Sequence, residues 1–217
     1  LLGGGRDRQF AGFFANIKQV KDIFNDTYVW VPISADVAAL NSYVDSFYEP
    51  WYAVAGTARG NLRNIVKLGW NPNGTERDMI YPNRINPIAY FKGEGTQIYG
   101  VRSLCTRKSD LADLYNRKTL NFIEKNLAVF LRQVLFEFND DITRGQVVNT
   151  INPFLRGIKA KRGLIDFLTV CDNSNNTPVI IEQNTLACDV HLKMAHVIET
   201  VELSFIITKN SVGFDEK

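Results

Sequence analysis

The apolar residues of this chain fall into two rhythms, and each rhythm predicts a kind of element. Phe13, Ile17, Val20, Ile23 and Phe24 recur at helical spacing, which predicts a helix over 13–24. A short strand, Tyr28–Val31, follows and stops at Pro32. Ser34 is placed to cap a second helix, whose Val37, Leu40, Tyr43, Val44 and Phe47 share one face. The stretch 49–83 changes character. Glu49-Pro50-Trp51-Tyr52 and Gly56–Gly60 read as loop, Asn71-Pro72-Asn73-Gly74 as a turn, and Thr75–Asp78 as one helical turn. Pro87 interrupts the apolar run from Ile85 to Phe91 and demotes it to an edge strand or loop. Thr96–Leu104, entered through Gly93-Glu94-Gly95, is the better strand.

Beyond residue 110 the helical rhythm lengthens. A helix is predicted from about Leu111 to Phe136, with Leu120, Ile123, Leu127, Phe130, Leu131 and Val134 in a single stripe. Thr143 is the predicted N-cap of the next helix, which carries Val147, Val148, Ile151, Phe154, Leu155 and Ile158. Pro153 is expected to bend that helix or mark its first turn, and Gly163 to end it. Arg156, Lys159, Lys161 and Arg162 crowd its last turn, where the helix dipole favours cations. Leu164–Cys171 then reads as a strand and 172–178 as a turn. Leu186–Lys193 alternates, with Val190, Leu192 and Met194 on one face and Asp189, His191 and Lys193 on the other. Val201, Leu203, Phe205 and Ile207 alternate in a final strand, and a polar tail, Lys209–Lys217, follows. The order predicts an α+β (mixed α/β) fold, a sheet packed with two long helices.

Composition narrows the classes. At 217 residues, 45% hydrophobic and 22% charged, the chain is sized for one globular domain with a small annex. Its formal net charge is +2 and neither half departs far from neutral, which argues against a protein that coats nucleic acid by charge. Three cysteines, Cys105, Cys171 and Cys188, are an odd count without CxxC spacing, so buried structural thiols are expected rather than a disulfide framework. No apolar run approaches the roughly 18–20 residues that span a bilayer. The start, Leu-Leu-Gly-Gly-Gly, is Gly-rich and does not read as a signal peptide; the chain reads as cut from something longer.

Candidate chemistry is thin. His191 and His196 would need Cys188 or Asp189 to hold a metal, but adjacent strand residues point to opposite faces, and exposed strand histidines are the better reading. Asp140-Asp141 could be paired catalytic carboxylates; a polar turn between two helices explains them better. Gly93-x-Gly95 and Gly56…Gly60 lack the strand–loop–helix order of a phosphate loop. The Asn-x-Thr matches at Asn25, Asn73 and Asn175 are ordinary turn composition. No catalytic residue, cofactor site or metal site is assigned. What stands out is contact surface: Trp30, Trp51, Tyr52 and Trp70 lie in or beside loops, where such residues either anchor interfaces or pack the loop.

The order of motifs resembles the contractile tail sheath protein family of T4-like bacteriophages, over its C-terminal domain. The resemblance is carried by Pro50-Trp51-Tyr52-Ala53 with Arg59-Gly60, by Arg84-Ile85-Asn86-Pro87-Ile88, and by Gly100-x-Arg102-Ser103-Leu104. Leu135-Phe136-Glu137-Phe138-Asn139-Asp140 with Thr143-Arg144 continues it. The most specific run is Pro153-Phe154-Leu155-Arg156, Arg162-Gly163, Asp166-Phe167, Val170-Cys171-Asp172 and Asn175-Asn176-Thr177.

The resemblance implies mechanical work without covalent catalysis. Subunits stack as hexameric rings around a tail tube, and contraction drives the tube through the host envelope. Implied partners are other sheath subunits, the tail tube protein, and baseplate and tail terminator proteins, with no direct nucleic acid or membrane insertion. The implied place is the virion tail, assembled in the host cytoplasm. In this frame 1–48 is a lead-in segment, 49–207 the inner, tube-facing domain, and 208–217 a C-terminal arm. Expected subunit contacts are the basic cluster Arg156, Lys159, Lys161 and Arg162, and the arm itself: Thr208, Lys209, Asn210, Ser211, Val212, Gly213, Phe214, Asp215, Glu216 and Lys217. The sheath of a tailocin or type VI secretion-like system is the alternative; a small α/β hydrolase or nucleotide-binding enzyme is a more distant one.

Overall fold

Residues 8–107 and 109–204 are described by a computed structural model. The Gly-rich first residues, the end of the expected final strand and the arm Thr208–Lys217 lie outside the described residues. The fold is mixed α/β, built around two main cores.

The first core surrounds a four-stranded sheet. Strands β1 (Phe13–Ala15), β2 (Ile17–Asp22) and β3 (Thr27–Pro32) precede helix α1 (Ser34–Phe47). The short pieces α2 (Gly56–Arg59), β4 (Asn61–Leu62), β5 (Lys67–Leu68) and α3 (Gly74–Ile80) follow, then β6 (Ile85–Phe91) and β7 (Gly95–Ile98). The main sheet runs β1-β6-β7-β4 and a smaller one runs β3-β2-β5. Ile33, Val37 and Val44 of the α1 region pack on Leu62, Leu68, Ile88 and Ile98.

Two expectations fail here. Residues 13–15 and 17–22 form strands and 23–24 a turn, in place of a helix. Residues 17–22 pair along their whole length with β3, Ile17 opposite Pro32 through Asp22 opposite Thr27. The apolar spacing misled because burial follows another set: Lys18 is buried and bonds Asp36 at 2.6 Å, whereas Ile23 and Phe24 are 85% and 98% exposed at the hairpin tip. Ladder pairing overrides the weak helical pattern. The second failure is β6, which is interior to the sheet, between β1 and β7, despite Pro87. The β6–β7 ladder begins at Ile88 opposite Ile98, and the Pro87 carbonyl accepts from the Tyr99 N–H at 2.8 Å. A strand residue's N and C=O face the same neighbour, so the missing N–H falls at the end of that ladder and leaves the β1 side intact.

Strand β7 is also shorter than expected. Past Ile98 the side chain of Asn86 takes over from the ladder: its Nδ2 donates to Phe13 O (3.1 Å) and Arg102 O (2.7 Å), and its Oδ1 accepts from Arg102 N (2.7 Å). Gly100 lets that side chain in, since a Cβ there would sit 2.8 Å from Asn86 Oδ1. Gly93 and Gly95, at φ 89° and 90°, make the hairpin turn between β6 and β7.

The second core is formed by α4 (Leu114–Leu131), α5 (Asp141–Ala160), strand β8 (Leu164–Val170), a short helix α6 (Pro178–Glu182) and strand β9 (Asp189–Met194). The two long helices keep the expected stripes: Ile123 and Leu127 meet Val147, Ile151, Leu155 and Ile158, with Leu164 and Met194 from the strands. Thr143 does not cap α5. Asp140 does, accepting the Thr143 N–H at 2.8 Å, and Asp141 begins the helix. Likewise Ser34 is the first residue of α1 and makes no side-chain cap bond. The α5 helix continues through Pro153, whose side chain is on the exposed face. The alternation read over Val190, Leu192 and Met194 holds in β9, which pairs antiparallel with β8. Residues 195–204 form no strand, so the final strand expected from Val201 is absent over its described part.

Candidate subunit-contact surfaces

The end of α5 is fixed by backbone geometry. Gly163 N donates to Ile158 O (2.9 Å) and Arg162 N to Lys159 O (3.0 Å), the paired bonds of a Schellman ending. The left-handed residue is Arg162, at φ 68°, not Gly163. Glycine at 163 serves packing instead, because a Cβ would come within 2.5 Å of Ile158 Cγ2 and 2.8 Å of Trp51 Cδ2. Trp51 closes the corner: buried, it donates from Nε1 to Lys161 O at 2.9 Å and packs edge-on against Phe122. Of the loop aromatics, Trp51 is therefore core, while Trp30 and Trp70 are substantially exposed.

This ending displays the four basic residues at the surface but in two pairs of circumstances. Lys159 Nζ lies 2.8 Å from Asp166 Oδ1, and Lys161 Nζ 2.5 Å from Glu49 Oε1. Arg156 and Arg162 are exposed and form no ion pair with the described residues. The cluster is thus half neutralised by its own chain.

Directly after it comes the β8–β9 ribbon. Its two strands pair from Leu164 opposite Met194 to Val170 opposite Asp189, and among the described residues neither outer edge has a strand partner. Such edges carry rows of backbone donors and acceptors free to take another strand.

A third feature escaped the sequence reading. The segment after β9 is pinned to the first half of the chain by a polar cluster. Glu199 accepts from Arg102 Nη2 (3.0 Å) and from the Tyr81 hydroxyl (2.6 Å), while Arg102 stacks 4.5 Å over the Tyr81 ring. Val197 N donates to the Tyr115 hydroxyl at 3.3 Å, and His196 stands 3.7 Å from Asp110. Burial and the Glu199 carboxylate push the Tyr81 phenol up, and burial pushes Tyr115 up to about 12. Burial, with Glu199 nearby, also raises Asp113. The partners lie about a hundred residues apart, so no local pattern reports them.

The other candidates have structural roles. Asp140 is a helix cap held below the ordinary carboxylate range by the Thr143 N–H, and Asp141 pairs with Arg144 at 3.3 Å. His191 is exposed on β9. Among the described residues no three His, Cys, Asp or Glu side chains converge as a metal would need, and no helix is long and apolar enough to cross a membrane. The apolar β2–β3 hairpin tip, read above as helix, is a further exposed surface.

Residues 106–208, which take in α4, α5 and the β8–β9 ribbon, match the family model described as the phage tail sheath C-terminal domain. The chain carries a tail sheath C-terminal domain. It is 31% identical over 207 residues to the tail sheath proteins of Vibrio phage KVP40 and of Enterobacteria phage T4, covering 95% of this chain and 31% of each relative. The chain therefore spans about a third of the length of these curated relatives. In fold it is similar to the helical sheath of the anti-feeding prophage in its contracted state, with TM-score 0.82, 18% identity, and coverage of 94% of this chain and 57% of that one. The contracted PVC sheath of an extracellular contractile injection system superposes with TM-score 0.82 at 20% identity, covering 93% and 57%.

Proposed function

We propose that this sheath domain works within a structural subunit of a contractile phage tail, without covalent catalysis. The subunits assemble as hexameric rings around a tail tube, and contraction drives the tube through the host envelope to deliver the genome. In this reading the partners are further sheath subunits, the tube protein, and baseplate and terminator proteins. The assembly takes place in the host cytoplasm and ends in the virion. The observation that carries the proposal is the 31% identity to phage tail sheath proteins along 95% of the chain. That identity exceeds the 18–20% to the anti-feeding prophage and PVC sheaths and supports the phage reading over that of an extracellular injection system.

The geometry supplies a physical rationale. A two-stranded ribbon whose outer edges have no strand partner among the described residues takes strands from neighbouring subunits by main-chain pairing, which holds register while rigid domains repack. The Glu199 cluster fixes where the chain leaves the domain on its way to residues 208–217, the proposed arm. The test is electron microscopy of the full-length protein containing this chain. Striated tubes or polysheath are expected, and truncation after Ile207 is expected to abolish them while the monomer keeps its circular dichroism. Normal tubes from the truncated protein overturn the arm assignment. No tubes from the intact protein, together with saturable nucleotide binding or turnover, overturn the sheath reading.

A further inference from the structure

We propose that Cys171 and Cys188 form a dithiol site, at which a disulfide-type oxidant closes a covalent bridge across the end of the β8–β9 ribbon. All three cysteines of the chain are thiols in the structure. The last ladder pair is Val170 opposite Asp189, so the next antiparallel step sets Cys171 opposite Cys188. Directly opposed antiparallel residues have Cα atoms about 4.5–5.5 Å apart, inside the roughly 4.4–6.8 Å that a disulfide spans.

The facing agrees. Cys188 shares the parity of Val190 and Leu192, and Cys171 that of Thr169 and Phe167, which stand opposite them in the ladder. Both cysteines accordingly pack in the same core, Cys171 buried and Cys188 half-buried at its margin.

The position is also held from beyond. Asn176, itself buried, accepts from Ala187 N (2.8 Å) and donates to Ala187 O (2.9 Å) and Asp172 O (3.0 Å). Asn175 donates to Val170 O (2.8 Å) and to Asp189 Oδ2 (3.1 Å). The two thiols are thus bracketed by a ladder pair on one side and an amide clip on the other. Burial, the larger influence, pushes both thiols up, and each also feels the other. They are slow nucleophiles at neutral pH and faster as pH rises, which fits a site that needs an oxidant and time rather than a catalytic pair.

With oxidised glutathione as the oxidant, the more accessible Cys188 thiolate attacks one sulfur of its disulfide and releases one glutathione thiolate. Cys171, losing its proton to solvent, then attacks the Cys188 sulfur and expels the second. Two protein thiols are oxidised and one glutathione disulfide is reduced to two thiols.

The experiment treats the folded chain with oxidised glutathione at mildly alkaline pH, alkylates what remains, and maps the linked peptides by mass spectrometry. The expected result is a fall from three alkylatable cysteines to one, Cys105, with a single intramolecular link between the Cys171 and Cys188 peptides. Cys105→Ser leaves that link in place, and Cys188→Ser removes it. Three alkylated cysteines, a stable glutathione adduct at Cys188, or a link through Cys105 overturns the proposal. The mapping is made on the unaltered chain, so it stands even where a variant fails to fold. Its outcome is also independent of the sheath reading.

Discussion

Asn86 is the residue on which the first core turns. It is fully buried, and its three hydrogen bonds join β1, β6 and the loop that carries Arg102. Removing the amide leaves Arg102 N and two carbonyls without that partner in a dry site, and each orphaned group costs about 1–3 kcal/mol. Asn86→Ala is therefore expected to lower stability by about 2–4 kcal/mol, read as a shift of the urea midpoint at unchanged slope. Because Arg102 leads directly to Glu199, the same variant is expected to speed amide exchange in residues 195–204. The sequence marked Asn86 only as part of a motif and Pro87 as the break that demotes its run to an edge strand or loop. That a proline-bearing run could be an interior strand depends on where the neighbouring ladder ends, which is a tertiary fact.

Among elements, α5 was the most legible. Its apolar rhythm gave the buried face correctly because the helix has one wet side and one dry side over its whole length. Its start was misread by three residues, since Thr143 and Asp140 are both good caps by type and only the backbone path selects Asp140. The cap carries a pH signature. The Thr143 N–H holds the Asp140 carboxyl below its ordinary value of 3.8 in the folded chain. A lowered folded pKa means the unfolded chain binds more protons in that window, so the contribution is present above pH 3.8 and fades as pH falls through the lowered value. Asp140→Ala is expected to be less stable than the parent at neutral pH, with the gap narrowing in acid. Asp140→Asn keeps an accepting oxygen and is expected to lose less. Urea midpoints of the three proteins across pH check both statements. Residues 13–24 show the opposite case: apolar spacing there was helical by coincidence, and pairing of 13–15 with β6 and of 17–22 with β3 and β5 made the elements.

At the scale of the whole molecule, the basic cluster lies exposed at the end of α5, and two of its four members are already engaged within the chain. Lys159 and Lys161 are engaged by Asp166 and Glu49, and reversing them breaks contacts within the chain. Arg156 and Arg162 are the members available to a neighbour among the described residues. The double variant Arg156→Glu, Arg162→Glu is expected to lower stability by no more than about 1 kcal/mol per site, the scale of a charge at a helix end, while disturbing tube assembly in the full-length protein, seen by electron microscopy. Wild-type tubes return those residues to the role of a solvated helix end. By itself, the sequence determined the two long amphipathic helices, the alternating β8–β9 ribbon and the order of motifs that marks a sheath domain, because each is written in local periodicity or in contiguous residues. Tertiary structure alone decided the strands at 13–22, the interior place of β6, the clamp on Glu199 and the opposition of Cys171 to Cys188. Those depend on which distant backbone supplies the missing hydrogen bonds, and a chain read one window at a time holds no record of that partner.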